Sequence, residues 1–207
     1  MNIFISGGCK NGKSYYAQQL AKRQAEGGRP LYYLVTMEPV DEEDRARILR
    51  HRREREGWGF TTLERSRGIG GLDADFSGSF LLDSVTALLS NEMFLTSQPA
   101  GPSSIDHSAG SSPTDQPAGS SPSGRLDGSA GFEVDRTAYL RVAEELVTLA
   151  EKSGNVVFVS DYIYSDAVQY DELTELYRKG LAWIDRALAQ KCDAVIEVAY
   201  GHMQRIK

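Results

Sequence analysis

Cysteine is scarce in this chain of 207 residues: there are two, Cys9 and Cys192, near opposite ends. Thiols so far apart make no disulfide framework, and their spacing fits no zinc motif. Histidine is nearly as rare, and neither His107 nor His202 stands at metal-ligand spacing from another candidate ligand. No run approaches the ~20 apolar residues that would cross a bilayer. The first residues lack a basic stretch leading into an apolar one, so no secretory leader is expected and a reducing cytoplasm is the expected setting. Positive charge is not in excess either. Lys and Arg total 23 against 29 Asp and Glu, a net charge of -6 with a pI near 5.2. That balance argues against a general nucleic-acid or anionic-membrane binder, but a local basic site for a phosphate ligand survives it.

What is present is an ordinary globular composition, 41% hydrophobic and 25% charged, in a length that suits one well-buried domain better than two. Short apolar runs at 2–6, 31–36, 79–83, 155–160 and 194–199 are rich in Ile, Val, Leu, Phe and Tyr. They lack strict alternation, as expected of strands covered on both faces. Helical patterns lie between them at 13–26, 41–56, 84–95, 133–152 and 171–190, and 60–64 reads as a further short edge strand. Strand–helix alternation of this kind predicts an α/β fold, a mostly parallel sheet flanked by helices.

The span 97–131 breaks the pattern. It holds five of the seven prolines, and Ser, Gly and Pro fill 21 of its 35 positions. Ala-Gly-Ser-Ser-Pro occurs twice, nine residues apart, with no apolar stripe that a neighbouring repeat could bury. The span reads as a disordered insertion interrupting a single domain over 1–207.

The first apolar run leads directly into Gly7-Gly8-Cys9-Lys10-Asn11-Gly12-Lys13-Ser14, which fulfils the pattern G-x-x-x-x-G-K-[ST]. Glycines let the backbone curl so that successive N–H groups point at phosphate oxygens. Lys13 suits the β- and γ-phosphates, the Ser14 hydroxyl suits Mg²⁺, and the helix starting near Lys13 adds its positive dipole end. Such a loop is usually joined by an acid at the end of a buried strand that holds Mg²⁺. Phe80-Leu81-Leu82-Asp83 offers one, with Asp83 as the Mg²⁺ partner; the bland alternative is that Asp83 caps the helix that follows.

The 41–56 stretch holds six acids and six arginines, with the acids crowded into its first turn. Only Ala46, Ile48 and Leu49 are apolar, which leaves the helix weakly anchored. His51 sits in its middle between Arg50 and Arg52. From these residues alone it reads first as a solvated surface histidine. The other reading is a nucleophile, since flanking guanidinium charge disfavours imidazolium and could neutralise a triphosphate during transfer.

These residues together resemble the bifunctional adenosylcobinamide kinase / adenosylcobinamide-phosphate guanylyltransferase family. The similarity runs from Ile3-Phe4-Ile5-Ser6-Gly7-Gly8 through the P-loop to Leu31-Tyr32-Tyr33-Leu34-Val35-Thr36. It continues over Asp41-Glu42-Glu43, Arg47-Ile48, His51, Trp58 and Glu64 to Leu81-Leu82-Asp83-Ser84-Val85-Thr86 and Asn91, then resumes beyond the insertion. The Arg-Ile-x-x-His block is far more specific than the P-loop alone.

The resemblance implies a P-loop NTPase-like three-layer sandwich and an enzyme with two steps. ATP or GTP phosphorylates the aminopropanol hydroxyl of adenosylcobinamide, and GMP then passes from GTP to that phosphate through a phosphoramidate on the position matching His51. It further implies Gly8 through Ser14, Thr36 and Arg52 around the nucleotide, Lys13 and Asp83 in catalysis, and a homo-oligomer, a trimer in characterised members.

Two stretches depart from the family. Where it has an Asn-Glu-Val-Gly run, this chain has Ser160-Asp161-Tyr162-Ile163-Tyr164. Tyr177-Arg178-Lys179 and Asp185-Arg186 stand where Arg-Asp and Asn-Gln are usual. Asp161 reads as a base, a Mg²⁺ ligand, a helix cap or a turn residue. The departures bear on the corrinoid contacts and leave two other readings open: a relative keeping one of the two steps, and a regulatory protein that binds GTP without transferring any group.

Overall fold

A computed structural model of the chain describes residues 1–38, 42, 46, 49, 53, 56–95 and 133–207, with Leu95 described by its backbone alone. The 97–131 insertion lies outside the described residues. So does most of the helix predicted over 41–56, although residues 42, 46, 49 and 53 are helical. The strands are β1 (Ile3–Gly7), β2 (Leu31–Val35), β3 (Thr61–Glu64), β4 (Ser79–Asp83), β5 (Phe94–Leu95), β6 (Glu133–Val134), β7 (Val156–Asp161), β8 (Ala194–Ala199) and β9 (His202–Arg205). The helices are α1 (Lys13–Gln24), α2 (Val85–Met93), α3 (Ala138–Ser153) and α4 (Glu172–Lys191), with a 3₁₀ turn at Ile69–Gly71.

Seven of these strands form one sheet in the order β3-β2-β4-β7-β1-β8-β9. Every pairing is parallel except β8 with β9. Side chains alternate between its two faces. Phe4, Leu34, Phe80, Leu82 and Phe158 point one way and bury against Leu88 of α2, Leu146 of α3 and Leu181 of α4. Ile3, Ile5, Leu81, Val157 and Val159 point the other way, onto Ala17 and Ala21 of α1. Both faces are covered, which is why these strands read as continuous apolar runs. The result is the mostly parallel α/β sheet that the alternation predicts, in the three layers that the family resemblance implies, and β3 is the edge strand expected near 60–64.

Two elements escape the sequence pattern. β9 is exposed along its whole length and carries no apolar alternation. It forms because Tyr200 and Gly201, at φ 52° and 75°, make a two-residue turn of the hairpin-favouring hand. The predicted 84–95 and 133–152 helices also give up residues to a small ladder, in which Phe94 pairs with Val134 and Leu95 with Glu133. Asp135 delays the start of α3, accepting the Thr137 N–H at 2.9 Å in a side-chain turn that competes with helix.

The β5–β6 ladder brings the two ends of the 96–132 span side by side. Replacing that span with Asn-Gly, the preferred two-residue hairpin turn, should keep the fold. Shortening the loop should also raise stability, by at most about 3 kcal/mol from closure entropy. Thermal unfolding and circular dichroism of the deletion check this; a lost or broadened transition is the contrary result.

Candidate functional site

Strand β1 ends at Gly7, wedged beside β8. A Cβ there would fall 2.3 Å from the Val198 carbonyl oxygen, so no other residue fits. The chain then curls, with Lys10 at φ 60° and Gly12 at φ 84° in the left-handed region. The first helical hydrogen bond of α1 runs from Tyr16 N–H to Gly12 O at 3.2 Å. The amides of Lys13, Ser14 and Tyr15 precede it and have no intrahelical acceptor, which makes this end an anion seat. Asn11 pins the loop to β8 by donating its Nδ2 to Val198 O at 3.3 Å. Cys9 and Lys10 are exposed, and Gly8 and Ser14 are half-buried.

Lys13 is buried, at 5% exposure. Its ammonium donates to Gly8 O at 2.6 Å and to Asp161 Oδ1 at 2.7 Å. Asp161 ends β7, the strand beside β1, and is fixed through its backbone. Its N–H donates to Thr86 Oγ1 at 2.9 Å, and the next residue, Tyr162, donates its N–H to Gly7 O at 3.3 Å. Sequence reading left Asp161 among four roles; the fold gives it the P-loop lysine.

Asp83 ends β4. In the sheet β7 lies between that strand and β1. The cap of α2 is Ser84, whose side chain accepts the Ala87 N–H at 3.2 Å, so Asp83 is free of the capping role. One carboxylate oxygen of Asp83 accepts from Tyr33 OH at 2.9 Å. Thr36, fully buried, donates its hydroxyl to Ser84 O at 2.8 Å and accepts the Ser84 N–H at 2.9 Å. It thus braces the segment that carries Asp83. Asn91 secures it from behind, donating to Thr36 O at 2.6 Å. His51 and Arg52 lie outside the described residues.

Among the described residues no cluster of three or more His, Cys, Asp or Glu could cage a metal ion. Mg²⁺ is commonly held by one or two protein oxygens together with substrate phosphates and water. The Ser14 hydroxyl and the second oxygen of Asp83 fit that kind of site.

The departures after β7 form a connected structure. Arg178 is buried on α4, at 6% exposure. It donates to Ile163 O at 3.2 Å, Val168 O at 3.1 Å, Glu175 Oε1 at 2.7 Å and Asp166 Oδ1 at 2.6 Å, and it stacks over Tyr170 at 4.7 Å. One guanidinium therefore holds the loop together. Tyr164 donates its hydroxyl to Asp185 Oδ2 at 2.8 Å. Burial pushes the Asp185 carboxyl up to about 7 and the negative Asp161 adds to the rise, while Tyr164 and the nearby Ser160 hydroxyl oppose it. Ser160 acts there through proximity only, since its Oγ and Asp185 Oδ1 are buried without a hydrogen bond of normal geometry.

The model of the cobinamide kinase / cobinamide phosphate guanyltransferase family matches residues 3–206. The chain is 27% identical over 204 residues to the bifunctional adenosylcobalamin biosynthesis protein CobP of Pseudomonas aeruginosa, covering 97% of this chain and 94% of that one. Among solved structures it is similar to the flagellar accessory protein FlaH of Methanocaldococcus jannaschii, with a TM-score of 0.47 and 10% identity over 100% of this chain and 77% of that one. A KaiC-like protein of Pyrococcus horikoshii gives a TM-score of 0.42 and 13% identity over 95% and 69%. No helix among the described residues is long and apolar enough to cross a membrane.

The raised Asp185 carboxyl has a consequence for stability. Between its ordinary 3.8 and about 7, the folded chain keeps this proton while the unfolded chain has released it. The stability it contributes is therefore full below the ordinary value and is lost as pH rises towards 7. Asp185→Asn, which mimics the protonated acid, should raise Tm at pH 8 by at least ~3 °C and change it much less at pH 4.5. Thermal melts at the two pH values decide; an equal shift at both would mean that Asp185 is not protonated in the folded chain.

Proposed function

The chain belongs to the cobinamide kinase / cobinamide phosphate guanyltransferase family, and from that membership we propose that it catalyses both steps of the name. In the first, ATP or GTP phosphorylates the hydroxyl of adenosylcobinamide. In the second, GMP passes from GTP to adenosylcobinamide phosphate with release of pyrophosphate. The observation that carries this reading is the cradle itself: free amides at the start of α1 and a buried lysine, at the carboxyl edge of a parallel sheet beside two acids. Ligands of open α/β sheets bind at that edge.

In the kinase step the triphosphate lies on the amides of Gly8 to Ser14, and the Lys13 ammonium turns to the β- and γ-oxygens. The acceptor hydroxyl attacks the γ-phosphorus as the bridging oxygen leaves with the nucleoside diphosphate. Ser14 and Asp83 would hold Mg²⁺, which would supply charge neutralisation at the phosphates. Thr36 acts by holding the Asp83–Ser84 segment in place.

In the second step the His51 imidazole attacks the α-phosphorus of GTP and pyrophosphate leaves. The phosphate of the second substrate then displaces GMP from the histidine. Arg50 and Arg52 neutralise charge at that centre. The histidine role rests on the family resemblance, and the arginine roles on their charge beside it in the sequence. The same resemblance supports a homo-oligomer, a trimer by analogy.

Incubation with GTP labelled at the α-phosphate should give an acid-labile, alkali-stable protein adduct that is absent in His51→Ala; an adduct that persists there refutes the histidine assignment. Lys13→Ala should lower phosphate transfer to adenosylcobinamide by about 10²-fold or more, read as product formed per unit time. Tight GTP binding by the wild-type chain with neither product formed would point instead to the regulatory reading.

A further inference from the structure

Lys13 carries three donors, and the protein already takes two of them, through Gly8 O and Asp161 Oδ1. Its burial shields the contact with Asp161 from the solvent screening that weakens surface ion pairs. Asp161 cannot follow the lysine towards a ligand. Its backbone is locked into β7, paired with Gly7 across the sheet and tied to Thr86. Among the described residues Lys13 is the cation that Asp161 touches. Asp185 and Tyr177 of α4 feel the negative field of Asp161, which adds to burial in opposing their loss of a proton.

Resting on the nucleotide-transfer reading above, we propose that Asp161 is a positioning residue that competes with substrate phosphates for Lys13, so that binding exchanges one anion for another at the ammonium. The ligands concerned are nucleoside triphosphates, nucleoside diphosphates and pyrophosphate. Drawing Lys13 towards a phosphate leaves a rooted carboxylate with no other cation in contact among the described residues, and that cost weakens the hold on each of these ligands. Recapture of the lysine by Asp161 as a product leaves then speeds release. An enzyme that clears a diphosphate in one step and pyrophosphate in the next needs such turnover, and release is often what limits it.

Equilibrium binding and dissociation rates for GTP and for pyrophosphate, each with Mg²⁺, test this in the full chain. Asp161→Asn keeps an oxygen facing Lys13 and removes the charge. Both Kd values should fall tenfold or more, with dissociation slowed in proportion. In a Lys13→Ala background the same change should shift Kd by less than threefold, because the competition has no object.

Weaker binding in Asp161→Asn would mean that Asp161 aims the lysine or holds Mg²⁺, and overturns the proposal. So does a gain below threefold, or an equal gain in both backgrounds, which is plain charge repulsion. Asp161→Ser, measured the same way, serves if the asparagine variant fails to fold by circular dichroism. A wild-type chain that binds neither ligand overturns the nucleotide reading itself; wild-type binding with no gain in Asp161→Asn overturns this inference alone.

Discussion

Strand β1 is hydrogen-bonded on both sides, to β7 and to β8, over its whole length, and the rest of the site depends on that double pairing. It presses Gly7 against the Val198 carbonyl so closely that a methyl group would collide. The chain beyond has to curl away in left-handed steps before α1 can start. It also sets which acid reaches Lys13. The neighbour on one side ends in Asp161, and Asp83 stands one strand further off. A different strand order would have given the same loop a different electrostatic partner.

Around this edge the protein buries charge at several points and satisfies most of it. Glu92, 6% exposed, accepts the Gly68 N–H at 2.6 Å and Arg141 at 2.9 Å, fixing the turn after β3. Arg178 does the same for the loop after β7. A buried charge is tolerated only when it is paired and hydrogen-bonded, so these residues act as fixed posts. Where the family resemblance leads one to expect a glycine-bearing loop, this chain has tyrosines. Tyr164 is accommodated because Asp185 receives its hydroxyl. A loop of that construction is tied down at many places, which sets it apart from one that depends on glycine for freedom.

The sandwich was legible because its cause is local composition. Runs such as Phe80-Leu81-Leu82 and Val156-Val157-Phe158-Val159 are apolar on both faces, and only a doubly covered strand explains that. The P-loop pattern was legible for the same reason: its glycines, lysine and serine fall within eight consecutive positions. The hidden features were those with weak local signals. β9 has four exposed residues, and the short β5–β6 ladder borrows from two helical patterns. The family resemblance singled out Thr36 but not its bracing role, since its partner Ser84 lies 48 positions away. The histidine at position 51 rests on sequence alone.

By itself the sequence determined the fold class, the phosphate loop and the family, because each is written in residue types at fixed short spacing. Tertiary structure alone decided that Lys13 faces Asp161 across 148 positions, that Asp83 is braced by Tyr33 and Thr36, and that Arg178 gathers the loop after β7. The reason is physical. Parallel strands buried on both faces share nearly the same apolar pattern, so the pattern does not tell which of them become neighbours. Neighbourhood is settled only when the whole sheet packs between its helices, and the chemistry at its edge is a matter of neighbourhood.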